Sequence, residues 1–259
     1  MNREPAVAGA FYPANPTALS HMMGDFLRIA KPGGKAPKAI IAPHAGYIYS
    51  GPIAASAYAR LEPVKDIITR VVLLGPSHHV YFEGLAVSSA DTFSTPLGSI
   101  EIDKPAIESL RDLPFVGYLE QAHAQEHSLE VHLPFLQQTL SQFKLVPIVA
   151  GNASPEQVGQ VIEKLWGGDE TLIVISSDLS HYHDYATAQR QDKHTSEMIE
   201  HLDYRHLSSE DACGKVPVSG LLKVLKDKAL HIKTVDLRNS GDTAGDKYRV
   251  VGYGAYVVE

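Results

Sequence analysis

The sequence predicts a single α/β domain built on a mixed, mostly parallel sheet flanked by helices. Three observations carry that expectation. The 259 residues fall within the reach of one domain. Short apolar runs rich in β-formers alternate with helical patterns along the whole chain. Several of those runs are continuously apolar, which is what a sheet covered by helices on both faces requires.

The elements follow in chain order. A helical pattern over 16–30 has Thr17 where an N-cap is expected. The segment KPGGKAP (31–37) then joins it to a strand at KAIIAP (38–43), and a helix is expected over 51–61. RVVLLGPS (70–77) and LAVSS (85–89) read as strands, followed by a helix at 104–112. The helical pattern over 126–141 contains Pro134, which predicts a kink or an early end there. KLVPIVAG (144–151) is the next strand. A helix at 155–166 has Ser154 as its cap, Pro155 at its first position and Gly167-Gly168 as its stop. The strand TLIVISSD (171–178), helices at 187–202 and 218–228, and the strands HIKTVDL (231–237) and YRVVGYGAYVV (248–258) complete the chain. No repeat and no linker-like stretch interrupts this pattern, so residues 1–259 are expected to form one domain.

Composition narrows the function. There are 23 basic and 30 acidic side chains, a formal charge of −7, and no basic block, which argues against a phosphate-tracking nucleic-acid binder. A hydrophobic fraction of 44% with 20% charged residues is ordinary globular usage. No apolar stretch approaches the roughly 18 residues of a bilayer span, and the start lacks a basic segment followed by an apolar one, so a cytoplasmic protein without a membrane partner is expected. With Cys213 as the one cysteine, an internal disulfide and a thiolate zinc cluster are both excluded. The chain also lacks G-x-S-x-G, the P-loop pattern, H-E-x-x-H and C-x-x-C.

Histidine is the anomaly, with 13 in the chain. In open α/β sheets, ligands gather beyond the carboxyl ends of the strands. Four predicted strands end in suitable residues: KAIIAP runs into His44 and Tyr47, RVVLLGP into His78 and His79, TLIVISS into Asp178 and His181, and HIKTVDL into Asn239-Ser-Gly-Asp242. Two imidazoles and one carboxylate on one face of an ion suit non-haem Fe(II) and leave positions open. His44, His78 and Asp242 supply that set. Asp178 and His181 are then left for proton transfer and orientation. His79 points away from its neighbour on an extended segment, so His78 is the expected ligand of the pair. His183, two residues past His181, is a further candidate base. Glu126, His127 and Glu130 share one face of the expected helix and are placed toward the pocket, while His132 and Cys213 read as structural. Tyr47, Tyr49, Tyr81, Phe82 and Tyr182 cluster around these positions in sequence and suit an aromatic-lined cleft.

REPAVAGAFYP (3–13), IAPHAGYIYSG (41–51), LLGPSHHVYFEG (73–84), EHSLEVHLPFL (126–136), ISSDLSHYHDY (175–185), CGKVP (213–217), NSGDTAGD (239–246) and VVGYGAY (250–256) closely resemble the Memo family, the protein B component of the AmmeMemoRadiSam group. The resemblance spans nearly the whole chain. It implies a fold similar to class III, LigB-type extradiol dioxygenases, which hold Fe(II) on two His and one carboxylate. It implies His44 and His78 as metal ligands, Asp242 as the third ligand, His181 as acid/base with Asp178 beside it, and Glu126 and His127 lining the pocket. Tyr47, His79, Tyr182 and His183 complete the expected pocket by their place in the sequence. Eukaryotic members look to carry Cys at the position of Asp242, which would make the site in this chain harder and more iron-like.

The resulting expectation is a metal-dependent, dioxygenase-like oxidoreductase. Fe(II), with copper or zinc as alternatives, would bind an aromatic or enediol-like small molecule on His44, His78 and Asp242. Two further readings use the same pocket: a non-catalytic adaptor that binds metal or a phosphopeptide, and a zinc-dependent hydrolase. The resemblance also implies a radical-SAM protein and an AMMECR-type protein as functional partners.

Overall fold

The computed structural model describes residues 1–30 and 33–259. Lys31 and Pro32, in the segment expected to join the first helix to the first long strand, lie outside the described residues. Among the described residues the chain builds a mixed nine-stranded sheet and a separate three-stranded one. At the centre of the large sheet, Ala39–Ala42, Thr171–Ser176, Arg70–Pro76 and Lys144–Ala150 lie side by side and parallel. Val250–Val258 runs antiparallel on the outer side of Ala39–Ala42, and Ile232–Asn239 pairs with its far edge. Leu85–Val87 and Val116–Tyr118 extend the opposite side, while His181–His183 pairs with the start of Val250–Val258.

The continuously apolar strands are the buried ones. Every residue of Ala39–Ala42 and Thr171–Ser176 is buried, as are six of the seven in Arg70–Pro76. Helices on both faces close over them to give one continuous core that runs from Leu19 and Met23 to Val257 and Val258. The predicted α/β class with a flanked mixed sheet is thus the observed one. Among the described residues, no helix is long and apolar enough to cross a membrane.

Element boundaries differ where local chemistry overrides periodicity. The first helix, Pro16–Ala30, is capped two residues earlier than expected. Asn15 Oδ1 accepts from the Ala18 amide at 3.0 Å, so Thr17 lies inside the helix. The expected helix over 126–141 is two short ones, His127–Glu130 and Leu133–Thr139, with Pro134 in the first turn of the second. Proline there needs no amide partner, and the break frees Glu126 to act as a cap. Five short strands escaped the pattern, at Asn2–Arg3, Thr92–Thr95, Gly98–Glu101, Val116–Tyr118 and His181–His183.

The helix Pro155–Lys164 begins as predicted. Ser154 Oγ accepts from the Gln157 amide at 3.1 Å, and the Gln157 side chain accepts from the Ser154 amide at 3.0 Å. This reciprocal cap predicts that Ser154→Ala destabilises the protein by about 1 kcal/mol in urea unfolding. Ser154→Asp, which also caps, should stay within a few tenths of a kcal/mol of the parent.

Candidate metal centre

Three adjacent parallel strands deliver the site. Ala42 pairs with Ser176, so His44 and Asp178 each lie two residues beyond a matched position. They meet there: the His44 amide donates to Asp178 Oδ1 at 2.8 Å. Next to them, Arg70–Pro76 runs into Ser77-His78. The short helix His127–Glu130 sets His127 against His78, and Cys213 meets His44.

His44 is 2% exposed. Its Nδ1 lies 2.6 Å from Ser176 Oγ, and its Nε2 faces Cys213 Sγ at 3.4 Å and Asp178 Oδ2 at 3.8 Å. Burial, then the neighbouring His78 and His127, hold its pKa well below the ordinary imidazole range, so the ring is neutral at pH 7. His78 stands at the mouth. Its Nδ1 is 2.8 Å from Glu126 Oε1, and its amide donates to Glu126 Oε2 at 2.6 Å. Burial opposes ionisation of Glu126, but the bonds from the His78 ring, the His78 amide and the Ser128 amide outweigh it and hold the carboxyl at about 2. His127 stacks on His78 with ring centres 4.6 Å apart and stands edge-on to His44 at 5.5 Å.

One nitrogen each of His44 and His78 and the sulfur of Cys213 all lie within 4.8 Å of one another. A second overlapping group joins His78, Glu126 and His127. The Asp178 amide donates to Cys213 Sγ at 3.3 Å, and burial, then the charge of Asp178, push the thiol up to about 12. A cation between sulfur and imidazoles would reverse that preference, because a coordinating thiol ionises. Two glycines allow this approach. A Cβ on Gly214 would lie 2.4 Å from the Ser176 carbonyl oxygen, and one on Gly75 would lie 2.8 Å from both Ser128 Oγ and Leu129 Cδ2. The centre opens into a cavity of about 400 Å³ bordered by His78, His79, Tyr81, Phe82, Asn152 and Cys213.

The family profile described as "Memo-like protein" matches residues 3–257. The chain belongs to the Memo family. It is 41% identical to a MEMO1 family protein of Aquifex aeolicus, with 97% of each chain covered. It is 38% identical to one of Methanosarcina barkeri, covering 99% of this chain and all of that one. Among solved structures, an uncharacterized protein of Escherichia coli K12 shares the fold. It has a TM-score of 0.52 over 85% of this chain and 98% of that one, at 12% identity.

In this Memo-family chain the third side chain that meets the two histidines differs from expectation. Asp242 does not join His44 and His78; Cys213 does. The reason is topological and local. Asp242 follows Ile232–Asn239, which the strand Val250–Val258 separates from Ala39–Ala42, so it starts roughly 10 Å to the side. Its carboxylate is also committed: Oδ2 accepts from the Asn239 amide at 2.9 Å, and Oδ1 accepts from the Tyr185 hydroxyl. Asp242 is exposed and borders a different cavity, with Phe26, Ile48 and Arg238.

The other expected residues divide. Asp178 is 4% exposed, and burial drives its carboxyl upward against the His44 amide and the nearby His181, His127 and His78. His181 and His183 are half-buried on the following segment. Between them, Tyr182 is 63% exposed at a φ of 65°, with the Arg249 guanidinium 5.0 Å over its ring. His79 is exposed, its ring 6.1 Å from that of His127. Tyr47 is a core residue and not a pocket wall: it is 2% exposed, and its hydroxyl donates to the Val131 carbonyl at 2.6 Å. Glu130 faces away from the site toward Arg3. His132 is structural, with Nδ1 2.7 Å from the Tyr58 hydroxyl.

Sequence reasoning missed Cys213, Ser176, Ser128 and Phe11, whose ring packs 4.7 Å from that of His127. Cys213 sits 35 residues from Asp178 with no ligand spacing around it. The signals available were the CGKVP block itself and its Cys-Gly pair, since a glycine beside a reactive side chain permits close backbone approach.

Proposed function

We propose that the chain is a metal-dependent protein with an extradiol-dioxygenase-like site, in which His44, His78 and Cys213 hold one transition ion. The observation that carries this reading is the meeting of two imidazole nitrogens and one sulfur within 4.8 Å at the mouth of a cavity. The donors fit such an ion. His44 is neutral through burial, and His78 is backed by a carboxylate in the manner of many ligating imidazoles.

Fe(II) is the proposed ion on the family resemblance. A thiolate in place of a carboxylate makes the set softer than expected and admits copper or zinc as competitors. When bound, the ion would supply Lewis acidity and redox capacity at this corner. The protein's own contribution is proton handling and enclosure. Asp178 and His181 stand beside the ligands as groups to accept a hydroxyl proton from an aromatic or enediol-like small molecule. His127 and Phe11 wall one side against water.

Metal analysis of protein purified without added metal, followed by anaerobic Fe(II) loading and oxygen uptake over a panel of catechols, tests the reading. His44→Ala and Cys213→Ala should each lose most of the bound metal while keeping the parent's circular dichroism, and Asp242→Asn should keep it. Full retention in both ligand variants would refute the centre. Stoichiometric iron without oxygen uptake would refute the dioxygenase chemistry and leave the binding site standing.

A further inference from the structure

We infer that Ser176 and Glu126 are positioning residues that fix His44 and His78 in the same tautomer, and that Ser128 ties their two supports into one unit. The inference rests on the proposed roles of His44 and His78 as ligands, and it deepens them by naming what aims each ring.

The tautomer of His44 follows from where the Ser176 proton goes. A serine hydroxyl has one proton. Ser176 Oγ lies 2.6 Å from the carbonyl oxygen of Ser128, which can only accept, so the proton is committed there. Ser176 Oγ also lies 2.6 Å from His44 Nδ1. With its own proton spent, the hydroxyl oxygen accepts, and Nδ1 carries the hydrogen. The lone pair of His44 is left on Nε2, the atom that faces Cys213 Sγ.

For His78 the partner is the Glu126 carboxyl, whose two oxygens already accept from backbone amides, Oε2 from His78 at 2.6 Å and Oε1 from Ser128, and so face the ring as acceptors. Glu126 Oε1 accepts from His78 Nδ1 at 2.8 Å and from the Ser128 amide at 2.9 Å. His78 is therefore also protonated on Nδ1, and its Nε2 is the free nitrogen. Two unrelated supports, a hydroxyl and a carboxylate, present the two rings alike.

Both supports converge on Ser128. Its amide donates to Glu126, and its carbonyl accepts from Ser176. Its hydroxyl donates at 2.8 Å to the carbonyl of Pro76, the last residue of the strand that leads to His78. All the polar groups of one residue, itself fully buried, are spent on the two ligand supports and the approach to one of them. Ordinary satisfaction of buried polar groups would explain any one of these bonds. It would not require both imidazoles to expose the same nitrogen.

The test reads tautomers in metal-free protein, so that its failure is separate from failure of the metal reading. Nitrogen-15 NMR of histidine-labelled protein should show His44 and His78 with a protonated Nδ1 and an unprotonated Nε2 near neutral pH. Ser176→Ala should leave His44 a mixture of tautomers with His78 unchanged, and should weaken Zn²⁺ binding by roughly 10–100-fold. Ser176→Thr, which keeps the hydroxyl, should restore the parent spectrum. A protonated Nε2 on His44 in the unmutated protein would overturn the proposal without recourse to any variant, as would an unaltered tautomer in Ser176→Ala. Correct tautomers in a protein that binds no metal would refute the metal reading alone.

Discussion

Glu130→Leu is expected to lower the stability of the protein by about 3–5 kcal/mol, read as a fall in the urea midpoint at unchanged slope. Glu130 is 1% exposed and gathers the N-terminal segment around one carboxylate. Oε2 accepts from Arg3 Nη1 at 2.6 Å and the Ala6 amide at 2.8 Å. Oε1 accepts from the Val7 amide at 3.0 Å and the Tyr12 hydroxyl at 2.6 Å. Leucine at this position leaves a guanidinium that is itself 8% exposed without its counter-charge, leaves the buried Tyr12 phenol without its acceptor, and removes the acceptor of two part-buried amides. Glu130→Gln keeps an acceptor but loses the charge, so its cost should be smaller. The double change Arg3→Met with Glu130→Leu should recover part of the loss, because the largest penalty comes from the unpaired charge and not from the missing bond. A cost below about 1 kcal/mol for Glu130→Leu would mean that the network is not formed in solution.

The consequence reaches the proposed centre. Arg3 also donates to the carbonyl oxygens of His123 at 3.0 Å and Glu126 at 2.9 Å, so the residue that supports His78 is held by its backbone from the far side. Phe11, on the same segment, accepts at its carbonyl from the Tyr47 amide and lays its ring against His127. The first dozen residues act as a strap across one wall of the site. Glu130→Leu should therefore weaken metal retention as well as stability, although Glu130 touches no ligand.

What could be read in the sequence and what could not divides along physical lines. The central strands were legible because a strand buried on both faces must be continuously apolar, as Ile40-Ile41 and Leu172-Ile173-Val174-Ile175 are. His44, His78 and Asp178 were legible because they directly follow such strands. Asp242 follows a strand as well, but sequence does not reveal lateral order in the sheet, and the intervening Val250–Val258 moves it aside. Its Asn-x-x-Asp spacing was a local warning, since that pattern spends the carboxylate on the cap of its own turn. Cys213 was hidden for the converse reason. It reaches the centre through a loop that no periodicity marks, carried in by a glycine packed on the Ser176 carbonyl. The supports Ser176 and Ser128 lie inside patterns that read as strand and helix, where serine looks incidental until its partners are known.

Metal-free protein should lose stability steeply as the pH falls from about 6.5 to about 5, by about 3 kcal/mol from His123 and His132 together. His123 is 2% exposed, and burial lowers its pKa to about 4 against the pull of its bond to the Ala86 carbonyl. His132 is 1% exposed and is lowered to about 3, first by burial and then by His44. Each ring has one nitrogen without a partner, His123 Nδ1 and His132 Nε2, so a proton arriving there would be a buried charge with no acceptor. In the unfolded chain both rings take a proton near 6.5. Their stabilising contribution is therefore complete above that pH, and it drains away below it, by about 1.4 kcal/mol per ring per pH unit until the folded values are reached. His44 and His127 are shifted in the same direction and add to the slope. The window lies above the range of ordinary carboxylates; Asp178 and Asp192, which burial drives upward, take their protons more readily in the folded state and oppose the imidazole slope. His123→Gln keeps a donor for Ala86 and cannot titrate, and should reduce the slope by one proton's worth. An unchanged slope would mean that His123 protonates in the folded state at its ordinary pKa, and that its strand contact opens to water far more readily than its burial against Phe93 and Ala86 allows.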